Sequence, residues 1–98
     1  DLLTLYLYDT TAGRQPDAIE RVSYLYGDQH TTCVLYLYRA TSPTGGYVVR
    51  VYRSEDSSDA QIDYLEDLRQ LPYLPLELQV AINRLVAVRN RLALQAIA

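Results

Sequence analysis

Residues Thr31–Arg39, Thr-Thr-Cys-Val-Leu-Tyr-Leu-Tyr-Arg, alternate with a period of two. Cys33, Leu35 and Leu37 fall on one side, and Val34, Tyr36 and Tyr38 on the other. That spacing belongs to a strand and does not suit a helix, where neighbours lie three and four apart. Leu3–Tyr8 repeats the design, with Leu3, Leu5 and Leu7 set against Thr4, Tyr6 and Tyr8. Both stretches predict a sheet with a leucine face and a tyrosine face.

Ninety-eight residues allow one core, so we expect a single domain over residues 1–98. An apolar content of 49% argues for a folded chain. Residues 1–53 balance five acids against five arginines, and residues 54–98 carry the net charge of −3. Neither half is basic, which argues against nucleic acid as a partner. Cys33 stands alone, so no internal disulfide forms, and a reducing, cytoplasmic setting fits a natural chain. No signal peptide is expected. The apolar C-terminal stretch is broken by Asn83, Arg84, Arg89, Asn90 and Arg91, so no membrane span is expected either. Lys, Phe, Trp and Met are all absent, while Tyr reaches 10 and Arg nine. Such a joint absence points to a designed or reduced-alphabet sequence, with a natural outlier as the alternative.

Along the chain, Asp1–Tyr8 reads as a first strand and residues 9–16 as a polar loop turning at Gly13. Asp17–Tyr26 supports two readings. Pro16, Asp17 and Glu20 open a helix with Ile19, Val22 and Tyr26 on one face, and Gly27 would cap it. Val22-Ser23-Tyr24-Leu25-Tyr26 is instead rich in strand formers and runs into a Gly27-Asp28 turn. The helix gives a parallel crossover, and the strand gives a meander. Thr31–Ala40 and Tyr47–Glu55 predict a hairpin across Thr41–Gly46, where Pro43, Gly45 and Gly46 supply the turn. The expected register sets Leu37 opposite Val51, Arg39 opposite Val49, Tyr36 opposite Tyr52 and Tyr38 opposite Arg50. The aromatic pair and the cation over a ring would each add about 0.5–1 kcal/mol.

Ser57 and Ser58, with a Ser58–Gln61 capping box, predict a helix to about Leu71, burying Ile62, Leu65 and Leu68. Pro72 and Pro75 break the chain before a last helix of more than 20 residues. That helix is apolar over most of its circumference, from Leu78 to Ile97, and has more surface to hide than one sheet face covers. The fold expected is therefore α+β: a three- to four-stranded, mostly antiparallel sheet with two C-terminal helices packed on one face. The order strand, polar loop and Pro16–Val22 is similar in outline to thioredoxin. The redox cysteine pair and the later pattern are missing, so no family follows.

Chemistry-bearing groups are few. His30 and Cys33, three apart on a strand, point to opposite faces, and Cys33 lies among the leucines as an inert thiol. One His and one Cys do not fill a metal site. Asp56, Asp59, Asp63, Glu66 and Asp67 read as a solvated helix face rather than a cation or basic-partner dock. No cofactor and no catalytic residue are expected, and the chain does not read as an enzyme. Tyr6, Tyr8, Tyr36, Tyr38, Arg50 and Tyr52 share one sheet face and form the candidate binding set. The expectation is a soluble, non-enzymatic scaffold or protein-binding module. Its partner would be a second copy, a homo-oligomer formed through the last helix or the tyrosine face. The alternative is a small-ligand-binding domain or enzyme with a pocket between sheet and helices.

Overall fold

The computed structural model describes residues 11–40, 46–52 and 60–97. It is an α+β fold. Four antiparallel strands, β1 (Ala18–Tyr26), β2 (Gln29–Arg39), β3 (Tyr47–Tyr52) and β4 (Ala60–Tyr64), follow one another across one sheet in chain order. Two helices, α1 (Leu65–Arg69) and α2 (Leu76–Ile97), pack against it. The expected strand at Asp1–Tyr8, with Tyr6 and Tyr8, lies outside the described residues, as do Pro43, Gly45, Asp56, Ser57, Ser58 and Asp59.

Asp17–Tyr26 resolves as strand. All nine residues of β1 pair with β2, from Ala18 opposite Leu37 to Tyr26 opposite Gln29. A ten-residue helix is marginal by itself, and its caps at Pro16 and Asp17 cannot match a nine-residue ladder. Gly27 has φ 62° and Asp28 does not have a positive φ, so the two-residue turn is of the II′ type, which needs glycine first.

The β2–β3 hairpin forms, but two residues out of the expected register. Leu37 faces Val49, Arg39 faces Tyr47, Tyr36 faces Arg50 and Tyr38 faces Val48. Both registers keep leucine with valine, so side-chain alternation cannot separate them. A backbone bond does: the Ala40 N–H donates to Gly46 O at 2.9 Å, which pairs those two residues at the end of the ladder.

Over its described residues, 60–71, the helix expected for residues 57–71 is corrected to a strand followed by a single helical turn. Ala60–Tyr64 pairs with β3, with Ile62 opposite Arg50 and Tyr64 opposite Val48. Helix in place of β4 would leave that side of β3 without partners for its backbone groups, and ladder pairing outweighs a capping box. Leu65 and Leu68 are buried as expected, whereas Ile62 turns to the opposite face. Asp63 therefore does not share a helical stripe with Asp67.

α2 begins after Pro75, where the Gln79 N–H donates to Pro75 O at 3.0 Å. Its Ala81, Ile82 and Leu85 are buried on Cys33, Leu35, Leu37 and Val49, and Leu65 and Leu68 of α1 complete this core. A second core lies on the reverse of the sheet, with Tyr38, Ala40, Val48 and Ile62 buried and Tyr36 and Tyr64 packed beside them. The two unlike faces hold. The centre of the reverse one is dry, since Val48 is 0% exposed. No described helix is long and apolar enough to cross a membrane.

Candidate interaction surfaces

Alternation along β2 and β3 brings Tyr36, Tyr38, Arg50 and Tyr52 to one face. Tyr36 and Tyr52 sit diagonally and meet edge to face, with centroids 5.6 Å apart and planes at 86°. The Arg50 guanidinium carbon lies 5.4 Å from the Tyr52 ring centroid, so the cation covers Tyr52 where the expected register gave Tyr38. Tyr38 is buried, while Tyr36, Arg50 and Tyr52 are half-buried. Burial pushes the Tyr38 phenol above its ordinary pKa, with the nearby Arg50 charge pulling the other way. Ile62 and Tyr64 belong to the same face and were missed by the helical reading of their segment. Their alternation with Gln61 and Asp63 is the signal that marks them.

A second surface runs along α2 and the outer side of β1. Arg21, Val22 and Ser23 of β1 line a shallow groove with Leu76, Val80, Ala81 and Arg84 of α2. Leu76 is 71% exposed and Leu94 70%, and Val80 and the preceding Tyr73 are exposed as well. Arg84 reaches Glu20 on β1 at 3.6 Å. Asn83, Arg84, Asn90 and Arg91, paired at spacings of seven, are all exposed. At the other side of the helix, Arg89 pairs with Glu66, which Arg69 also contacts at 3.1 Å. The hydrogen bond from Arg89 holds the Glu66 carboxyl below its ordinary pKa, and Arg69 adds to this.

A third feature is a cleft of about 460 Å³ between the leucine face and residues 71–78. Leu35, Val51, Leu68, Leu78 and Ile82 form most of its wall, and Tyr24, Thr31, Cys33 and Gln61 its polar fringe. Cys33 is buried and in no disulfide, with the Tyr24 hydroxyl 3.7 Å from its sulfur. His30 is exposed on the opposite side of β2 and does not approach it. Among the described residues no group of three His, Cys, Asp or Glu side chains is placed to hold a metal ion. Comparison with protein-family models, with curated proteins and with solved structures finds no match to this chain.

Proposed function

We propose that this protein is a non-enzymatic scaffold or interaction module that associates with a second copy of itself through the α2–β1 flank. One observation carries the reading: Leu76 and Val80 of α2 stand in water beside β1, on a helix whose opposite face is packed on the sheet. Exposed apolar side chains grouped together favour contact with another surface. On the tyrosine face the centre is already packed, so a partner there meets Tyr36 and Tyr52 rather than Tyr38. The missing Lys, Phe, Trp and Met fit a scaffold of designed or reduced-alphabet origin. Sedimentation equilibrium at tens of micromolar should give the mass of a dimer. The exposed-site variants Leu76→Glu and Val80→Glu should shift it to monomer while the melting temperature of the isolated chain stays near that of the parent. A parent that stays monomeric at high micromolar concentration rejects the reading.

The cleft favours a second reading, a site for a small, uncharged, mainly apolar molecule with one polar end near Tyr24 and Cys33. Nile red should then bind saturably at one per folded chain. Leu71→Trp, at the exposed rim, should weaken that binding. Unsaturable binding, or no effect of the rim variant, counts against it.

A further inference from the structure

We propose that two copies join helix to helix, the α2 of one lying antiparallel along the α2 of the other, about a two-fold axis level with Leu85. The proposal rests on the self-association reading above and specifies its geometry.

α2 carries a seam on each of two opposite sides. Leu78, Ala81, Ile82 and Leu85 form the inner one and pack into the core on the sheet. On the outer side Leu76, Val80, Asn83, Ala87, Asn90 and Leu94 follow one another at spacings of four, three, four, three and four. That is the heptad spacing by which one helix seats along another. At 3.6 residues per turn, these six residues form one stripe directly across the helix from Leu85. All six are exposed, Leu76 at 71% and Leu94 at 70%.

The order of residues along the seam selects a second copy as its occupant. An axis level with Leu85 sets Leu76 against Leu94 of the second copy at both ends of the contact. Val80 then meets Asn90, and Asn83 meets Ala87, so the large apolar side chains close the ends and a small one lies in each central layer. Glu77 and Arg91 flank the seam on one side, each directly after a seam residue. The antiparallel arrangement brings Glu77 beside Arg91 of the second copy, twice. It also sets the N-terminus of each helix beside the C-terminus of the other, which suits the two dipoles. Arg84 meets its own copy at the axis, and Glu20, 3.6 Å away in each chain, offsets that charge.

Other arrangements use the seam less well. Moving the register by one heptad in one direction leaves Asn90 and Leu94 past the end of the other helix. Moving it in the other direction leaves Leu76 there and sets Arg84 beside Arg91, a like-charge contact. A parallel pair keeps Glu77 away from both arginines and aligns the two dipoles. Only the antiparallel pair centred on Leu85 uses the whole seam and joins opposite charges, and it is self-complementary, as a two-fold interface requires.

Cross-linking and charge exchange test this geometry. Facing residues in one layer come within disulfide reach, whereas positions 76 and 94 of one helix are about 27 Å apart. Leu76→Cys and Leu94→Cys variants, differently tagged, are exchanged into mixed dimers and oxidised. The expected result is a covalent heterodimer in the mixture and no covalent dimer from either variant alone, with the parent chain as a control for the buried Cys33. Covalent homodimers from the single variants overturn the antiparallel arrangement in favour of the parallel one. Glu77→Arg and Arg91→Glu should each weaken dimerisation about fivefold or more, and the double variant should restore it. The two positions are about 21 Å apart within one helix, so rescue reports a contact between copies. A chain that still sediments as a dimer but lacks either the mixed cross-link or the rescue overturns this geometry and spares self-association. A monomeric parent removes both.

Discussion

Val48→Lys is expected to remove about 3 kcal/mol or more from the stability of the domain, measured by urea unfolding at neutral pH. Val48 is fully buried between Tyr38 and Tyr64, its cross-strand partners on the reverse of the sheet. A lysine there buries an ammonium close to Arg50, which has the same sign. Among the described residues this face carries no carboxylate to pair with it. The substitution separates a packed second core from a solvated tyrosine surface. A wet face would accept lysine at a cost within about 0.5 kcal/mol, as surface positions do. A loss that small would mean that the reverse of the sheet is not a core at all.

Leu85→Ala should cost about 3 kcal/mol and lower the melting temperature by roughly 12–20 °C. Leu85 is fully buried where α2 meets the leucine face, and the cavity left by the missing carbons has close-packed walls. In a domain whose total stability is on the order of 5–15 kcal/mol, that is a large fraction. Leu94→Ala, on the same helix but exposed, is the internal comparison and should change stability by less than about 0.5 kcal/mol. Equal losses at the two sites would show that α2 does not seat on the sheet through the Ala81–Ile82–Leu85 face.

The strand at Thr31–Arg39 is legible because each of its faces repeats one chemistry, leucine on one side and tyrosine on the other. Its partner strand is legible for the same reason. The register is not, because alternation separates odd offsets from even ones but not one even offset from the next. A backbone closure at Ala40 and Gly46 settles it. Residues 60–71 show local signals in conflict. The leucines at 65 and 68 keep helical spacing and do form a turn of helix, whereas Ile62 and Tyr64 alternate as a strand. The unpaired side of β3 decides for the strand, and that is a tertiary fact absent from the local pattern. Asp17–Tyr26 repeats this conflict, and the edge of β2 resolves it. The candidate site follows the same logic. Tyr36, Tyr38, Arg50 and Tyr52 share a face by parity alone, but which ring Arg50 covers depends on register. The surplus apolar surface of α2 is evident in its composition. Its position beside β1 depends on how the helix crosses the sheet.

The meander has a kinetic consequence. Each described strand pairs with its neighbour in the chain, and the paired residues lie at most 19 positions apart, as for Ala18 and Leu37. Closing such loops loses little entropy, so the sheet can assemble from local hairpins with low contact order. The covering helix is different: Arg84 meets Glu20 across 64 residues. Among the described residues the longest-range step in folding is thereby the landing of α2 on the first strand, and the part of the leucine side that α1 does not cover stays bare until that step is complete.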